Sequence, residues 1–505
     1  MNLVYGIHDR PPMSKVVVFA FQQMIAIMAA TLLVPMIMTG YGLQASPAAA
    51  LFGAGLGTIV YLLFTKRRSP VFLGSSFTFL GAYQAVIGQH YGYWGVLIGV
   101  AFAGLMYVIF ALIIKFVGSG WVNKLMPAVI IGPIVTLIGL SLSSTATGWT
   151  ASNGIDGNYS LLTIVIGLAT FFAIVIASVK GNKTVKLIPF IIGIGAGYGI
   201  ALILTIIGLI AKVEALQIID FTPFVDIFGN GNFKFFGSIL DLPDFFLVRA
   251  IQTSIKTPDM YSAIDFAAIG NIALIFIPIG VVELAQHVAD HKNLGTIIGK
   301  DLVTDPGLDK TLLGDGVGSI AGSIFGCCAN TTYGESIGCV AITGNASVIT
   351  IFTAAIGCML LSFFAPFVAL INTIPKCVMG GACIALYGFI AVSGLQMLKK
   401  VDLGNSKNLF VVSSILVTGI GGLTLNFGFS EITQKPILTI TSLATALIVG
   451  LITNLIVNNG KVGEVDETTD GLTGAAKSMG DVEVEPTVPA EKETVSVGTD
   501  TDKAE

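Results

Sequence analysis

Apolar runs alternate with short polar stretches along almost the whole chain, and most are close to the roughly 20 residues one helix needs to cross a bilayer. They predict spans near Val16–Met38, Ser46–Phe64, Val71–Ile87, Trp94–Ile114, Val122–Leu142, Leu161–Val179 and Leu187–Ala211. A second set is predicted near Ala267–Ala289, Leu312–Cys328, Tyr333–Thr343, Val348–Ile371, Val378–Leu398, Phe410–Leu425 and Ile437–Val457. That makes fourteen, seven on each side of a long connection. Two segments, Val71–Ile87 and Tyr333–Thr343, are short or interrupted by Gly, Ser and Thr, which weaken helix interiors and compete for backbone hydrogen bonds. Irregular backbone at membrane depth is tolerated where it lines a cavity or is buried in protein.

The interrupted segments echo one another. Gly74-Ser75-Ser76-Phe77 overlays Asn330-Thr331-Thr332-Tyr333, each a pair of hydroxyl residues followed by an aromatic, third in its half. Pro127-x-x-Ile130-Ile131-Gly132 and Pro375-x-x-Val378-Met379-Gly380 repeat the correspondence in the fifth position. Seven is odd, so the second half enters the membrane upside down relative to the first. Inverted repeats with matching broken segments, here the third and tenth, point to a binding site near the midplane. The resulting division is residues 1–211 as the first repeat, 212–266 as an extracytoplasmic connection, 267–457 as the second repeat and 458–505 as a tail.

Charge sets the orientation. Lys66-Arg67-Arg68, Lys180 with Lys183 and Lys186, Lys292 with Lys300 and Lys310, and Lys399-Lys400 fall in alternate loops, whereas Gln89–Tyr93 and Thr145–Ser160 carry no Lys or Arg. By the positive-inside rule both termini are expected in the cytoplasm of a multi-pass protein of the cell membrane. The chain is 505 residues, 54% hydrophobic and 11% charged, where a soluble domain carries about a quarter charged residues. Its net charge of −4 comes from the acidic tail beginning at Glu464, which is poor in aromatics and reads as disordered. No nucleic-acid surface is implied. The six cysteines lie in or beside apolar segments without the histidine spacing of a zinc site, so they are read as packing residues and neither metal nor cofactor is expected. Met1 to Lys15 is too polar for a cleavable signal peptide.

Candidate chemistry sits where carboxylates interrupt apolar sequence. Glu335 lies in Asn330-Thr331-Thr332-Tyr333-Gly334-Glu335-Ser336-Ile337-Gly338, and an acidic side chain at the centre of a spanning helix costs about 2.5–3.5 kcal/mol on insertion scales. Such a residue is a functional-site candidate. In the eighth segment Glu283, Gln286, His287, Asp290 and His291 share one broad helix face by their spacing. Asp290, His291 and Lys292 are equally what a hydrated cytoplasmic helix end would carry. Phe77 offers an aromatic face, or simple core packing, and Gln22-Gln23 suit interhelical hydrogen bonds between close-packed helices. A flat, neutral ring that both donates and accepts hydrogen bonds fits such surroundings.

The stretch Asp301 to Gly338, with D-L-x-x-D-P-G-L-D-K-x-L-L-G-D-G followed by N-T-T-Y-G-E-S-I-G, resembles the nucleobase-ascorbate transporter family, nearest its bacterial uracil permease branch. G-S-S-F at Gly74–Phe77 and the Gln23-to-Pro35 pattern extend the resemblance over nearly all of the chain outside the tail and the long connection. It implies an all-α fold of two inverted seven-span repeats, divided into a core domain that binds substrate and a gate domain it moves against. Carried over by position, Glu335 matches the family's second-half substrate carboxylate, Gly334 a backbone donor, Tyr333 the preceding aromatic, Phe77 the aromatic of the first broken segment, and Ala30 a small residue packed near the base. Two positions depart from the pattern. Gln286 stands where the family has a substrate glutamate, and Gln23 where it has a histidine. Gln286 can donate and accept but cannot carry a proton, so proton coupling falls to Glu335, Asp290 or Glu283.

These features lead to the expectation of a secondary transporter that imports a nucleobase, uracil first and a xanthine-like purine second, by proton symport, with sodium as the alternative coupling ion. A homodimer is left open. An anion exchanger of the same fold is disfavoured because Glu335 would repel its substrate, and a channel because no ring of repeated pore-lining groups is present. A sensor that binds a base without moving it remains a rival. No paired nucleophile and base indicates an enzyme.

Overall fold

The computed structural model describes residues 3–118, 127–152, 159–182, 185–186, 188–229, 235–257, 260–399, 401–429 and 436–458. The acidic tail and the start of the span expected at Val122 lie outside the described residues. Helices begin where the sequence supplies caps. Ser46 accepts from the Ala49 amide ahead of α2 (Pro47–Phe64), with Pro47 in its first turn, and Asp265 accepts from Ala268 at 2.7 Å ahead of α11 (Phe266–Ile298). In the first half, α1 (Met13–Gly40), α2, α3 (Leu80–Gly88), α4 (Gly92–Val117), α5 (Ala128–Ser141), α6 (Ser143–Ala151), α7 (Leu161–Lys180) and α8 (Pro189–Ala211) follow in order. The connection holds α9 (Thr222–Phe228) and α10 (Phe246–Lys256). The second half contains α11, α12 (Leu308–Gly326), α13 (Gly334–Thr343), α14 (Val348–Leu361), α15 (Ala365–Asn372), α16 (Lys376–Leu398), α17 (Ser406–Ile420) and α18 (Ser442–Val457).

Among the described residues, eight helical stretches are long and apolar enough to cross a membrane, α5 and α6 together counting as one (Ala128–Ala151), and α14, α17 and α18 are shorter apolar helices. Several expected spans take a different form. Val348–Ile371 is two helices rather than one, because the chain turns at Ser362–Phe364, where Ser362 Oγ bonds the Met359 carbonyl and Pro366 restarts the next helix. The ends of the expected segments Phe410–Leu425 and Ile437–Val457 instead form a hairpin, β3 (Leu425–Phe429) with β4 (Pro436–Ile440). The eighth segment runs nine residues beyond its expected end at Ala289, to Ile298, and stops at Gly299 in the left-handed region (φ +69°). A left-handed glycine is a common helix stop.

Close helix packing places the site. α12 lies between α2 and α4. Its glycines at 314, 318, 322 and 326 recur every four residues and form one small-residue row, the pattern that lets spanning helices approach backbone to backbone. A Cβ on Gly57 of α2 would stand 2.9 Å from the Gly318 carbonyl oxygen. At the loop end of α2 the exposed Arg68 guanidinium lies 2.8 Å from Asp305, and that hydrogen bond holds the Asp305 carboxyl below the usual range.

Each interrupted segment is a three-residue strand followed by a short helix. β1 (Leu73–Ser75) precedes α3, and β2 (Asn330–Thr332) precedes α13. The strands pair antiparallel in the register Leu73↔Thr332, Gly74↔Thr331 and Ser75↔Asn330. The segments that echo each other in sequence are therefore hydrogen-bonded to each other in space. Every residue of both strands is buried. Two contacts lock the pair: the Tyr333 hydroxyl donates to the Ser75 carbonyl at 2.7 Å, and the Tyr333 ring lies over Gly74 where no side chain fits. Gly74→Ala is thus expected to destabilise the protein by about 1–3 kcal/mol, the usual cost of overpacking. Thermal denaturation of the detergent-solubilised variant checks this, and an unchanged midpoint would show that the ring moves freely aside.

Candidate functional site

Two carboxylates of α11 hang on the strand pair. Ser76, immediately after β1, donates to Glu283 Oε1 at 2.5 Å, and Thr332, the last residue of β2, donates to Asp290 Oδ2 at 2.6 Å. The polar face expected on this helix splits into two rows. Glu283, His287 and His291 are at most 1% exposed and turn into the protein, whereas Gln286 and Asp290 are half-buried. This corrects one reading of the sequence: His291 is not a hydrated helix end but is fully buried, with Nε2 2.7 Å from the Tyr61 hydroxyl.

Glu335 occupies the second position of α13 and is half-buried. Helix starts leave their first N–H groups without intrahelical partners, and Tyr333 in the capping position supplies no side-chain bond to them. Gly334 is exposed, with nothing within 4 Å of the place a Cβ would take. Backbone donors and a carboxylate thus meet at one helix end beside open space. Both ends of α13 are fastened. Gln23 Nε2 of α1 donates to the Ser336 carbonyl at 3.2 Å, and Ser336 Oγ accepts from the Phe72 amide at 3.2 Å. At the far end the N-terminal arm pairs with the following loop, Val4 N donating to the Gly344 carbonyl at 2.8 Å and Ala346 N to that of Tyr5 at 2.9 Å.

Phe77 follows Ser76 directly, is 8% exposed, and meets Tyr387 of α16 edge-on with ring centroids 5.8 Å apart. The second aromatic was not singled out in the sequence, where a lone tyrosine in an apolar helix carries no signal of its own. Tyr333 is brought to the strand pair, but its hydroxyl is committed to Ser75. Ala30 is buried on α1, in the hydrophobic cluster that also contains Phe77, Tyr333 and Tyr387. The expected residues therefore converge through three elements: α11 with Glu283, Gln286 and Asp290, the β1 end with Phe77, and the β2–α13 junction with Tyr333, Gly334 and Glu335. A separate cavity of about 430 Å³ lies among Tyr91, Trp94, Ser254, Tyr261 and Ile269, where the long connection meets the starts of α4 and α11. It shares no residue with this constellation.

Comparison with known proteins gives the family. A profile described as the Permease family matches residues 14–428. The chain is 37% identical over 455 residues to the uracil permease of Bacillus caldolyticus, covering 90% of this chain and 94% of that one. It is 34% identical to the uracil permease of Bacillus subtilis (strain 168), covering 91% and 97%, and 32% identical to that of Escherichia coli (strain K12), covering 89% and 95%. The transmembrane domain of the cyanobacterial bicarbonate transporter BicA superposes with a TM-score of 0.52 at 16% identity, over 86% of this chain and 96% of that one. The inward-facing murine Solute Carrier 26 family member A9 superposes with a TM-score of 0.53 at 10% identity, over 89% and 69%. At such identities these two likenesses speak to the fold alone. The relatives are permeases rather than enzymes, and their likeness spans the strand pair, α11 and α13. The chain is a multi-pass membrane protein that belongs to the Permease family.

Proposed function

We propose that this permease imports a nucleobase, uracil first and a xanthine-like purine second, by proton symport across the cell membrane. The observation that carries the reading is that a carboxylate at an exposed helix start, a half-buried amide on α11 and a buried aromatic lie on the elements joined at the strand pair, in a chain whose relatives are named uracil permeases. Glu335 and Gln286 clamp the polar edge of the base, the Gly334 N–H donates to a ring carbonyl, and Phe77 packs on the face. Ala30 leaves room beside it. Tyr333 acts at one remove, through its ring on Gly74 and its bond to Ser75, by keeping the two strand ends in register. A pyrimidine such as uracil alternates N–H and C=O groups around its edge, so an amide and a carboxylate that between them donate and accept match it.

The coupling proton is assigned to the group formed by Glu335, Asp290 and Glu283, since Gln286 has no proton to give. In the fourteen-span, inverted-repeat arrangement with both termini cytoplasmic, the strand pair lies at the midplane and rocking of core against gate exposes it to each side in turn. Cells expressing the chain are expected to accumulate radiolabelled uracil, with excess unlabelled uracil suppressing uptake more strongly than xanthine. Uptake is expected to collapse with a proton uncoupler and to decline as external pH rises. Uptake indifferent to the uncoupler but dependent on sodium would overturn the proton assignment. Absence of uptake of either base would overturn the substrate.

A further inference from the structure

Glu283 and Asp290 each accept from a hydroxyl at the strand pair, and a fully buried ionisable pair lies one helical turn beyond Glu283. His287 Nδ1 is 2.6 Å from Asp315 Oδ2 of α12, and the two side chains are 1% and 0% exposed. His287 Nε2 is 3.0 Å from Thr311 Oγ1, and that hydroxyl also reaches the Leu308 carbonyl at 3.3 Å. Asp315 Oδ1 and the hydroxyl of Tyr107, from α4, are buried beside the pair without a hydrogen-bond partner among the described residues. The Tyr107 and His287 rings are 6.4 Å apart. One turn further along α11 the ring of His291 stacks on His287 with centroids 4.1 Å apart, and its Nδ1 bonds the His287 carbonyl at 2.8 Å. The Tyr61 hydroxyl of α2 joins His291 Nε2 to Ser69 Oγ, each at 2.7 Å.

We infer that the His287–Asp315 pair holds the transported proton. The inference rests on the proton-symport reading above and deepens it, placing the store from which the proton reaches Glu283 of that carboxylate group. The geometry supplies two states that differ by one proton, and in both each ring nitrogen of His287 has a hydrogen-bond partner. In the loaded state Thr311 donates to the Leu308 carbonyl, its oxygen accepts from His287 Nε2–H, and a second proton lies between Nδ1 and Asp315. In the empty state the ring keeps a single N–H. Left on Nε2, it would set the bare Nδ1 against a bare carboxylate at 2.6 Å. The ring instead carries its proton on Nδ1, toward Asp315, and the Thr311 hydroxyl turns from Leu308 to donate to Nε2. No heavy atom has to move.

The departing proton has an acceptor on the same helix row. Glu283 stands one turn away on the same row, about 6 Å by backbone rise along the axis, and a water between the two side chains would relay the proton. The N–H bond lost at His287 is matched by an O–H bond gained at Glu283, and Ser76 ties that carboxyl to the strand next to the base. His291, stacked face to face, disfavours a second positive charge on the row, so the two imidazoles take up one proton beyond their neutral forms, not two. The groups facing the pair are thus Asp315 and Thr311 from α12, Tyr107 from α4, and Glu283 and His291 from α11. Tyr61 and Ser69 stand behind His291, while Asp290 turns to Thr332.

Purified protein in liposomes separates exchange from coupling, because radiolabelled uracil can exchange with internal uracil without net proton movement. The parent is expected both to exchange uracil and to accumulate it under an acid-outside gradient. Asp315→Asn and His287→Gln are each expected to keep exchange within about threefold of the parent while gradient-driven accumulation falls tenfold or more. Thr311→Val, which keeps both ionisable partners and removes only the hydroxyl that rotates between the two states, is expected to shift the pH profile of accumulation with exchange retained. It also stands as the test where Asp315→Asn does not fold. Accumulation in these variants equal to the parent's, or exchange and accumulation lost together in folded protein, would overturn the inference and leave symport intact. A parent that exchanges uracil but ignores the proton gradient would overturn the symport reading and this inference with it.

Discussion

Glu335→Gln is expected to reduce uracil uptake by one to two orders of magnitude while the protein still inserts. Glu335 lies half-buried in the first turn of α13, beside the exposed Gly334 and ahead of Ser336, whose carbonyl is held by Gln23 and whose hydroxyl is held by the Phe72 amide. The helix start is therefore fixed from two sides without the glutamate, and its loss should leave the backbone in place. A hydrogen bond to a charged group is worth about 1.5–3 kcal/mol, which is roughly tenfold to more than a hundredfold in affinity. Initial uptake rates, normalised to the amount of protein in the membrane by immunoblot, measure the effect. Uptake equal to the parent's would remove Glu335 from the site, and loss of the protein from the membrane would mean that the carboxylate is structural.

Gln286→Glu is expected to alter substrate ranking and the pH profile of uptake more than it alters folding. Gln and Glu are close in shape, and Gln286 is only half-buried on α11, so packing changes little. The chemistry changes more, since the amide donor is lost and an ionisable carboxyl is added on the helix row that also carries Asp290. A mismatch with a buried base edge costs about 1–3 kcal/mol, enough to change affinity by about tenfold or more. Competition between labelled uracil and unlabelled xanthine across a range of external pH reads both effects. An unchanged ranking, affinity and pH profile would place Gln286 outside the binding site.

Much of the helix plan was legible because hydrophobic run length and caps are local signals. Ser46 and Asp265 mark helix starts, and the α2, α4, α7, α8 and α16 segments fall within a few residues of their expected limits. Three features were not legible in the same way. The break at Ser362–Phe364 interrupts a run that is apolar on both sides, so its hydrophobicity hides the turn. The hairpin of β3 and β4 takes residues whose apolarity suits strand and helix equally. The burial of His291 depends on Tyr61, far away in the chain, and no helix-end pattern reports that.

The site was legible in a different measure. Gly74-Ser75-Ser76-Phe77 and Asn330-Thr331-Thr332-Tyr333 announced two interruptions and their kinship, but the register between them is a long-range fact, set by Tyr333 on Gly74 and by Ser76 and Thr332 each reaching a carboxylate in a different row of α11. The spacing of Glu283, Gln286, His287, Asp290 and His291 placed them on one helix without saying which row faces the strands. That division comes from α12, whose Asp315 holds His287 on the buried row. Tyr387 was missed because only its contact with Phe77 marks it.

The central claim is that this permease carries a nucleobase. Its most direct test is uptake of radiolabelled uracil and, in parallel, radiolabelled bicarbonate into liposomes containing the purified protein, with the outside made acidic. The account predicts uracil uptake well above protein-free liposomes, saturable, suppressed by unlabelled uracil and lost in Glu335→Gln, with bicarbonate at background. Bicarbonate uptake without uracil uptake, or uracil uptake unaffected by Glu335→Gln, would contradict it.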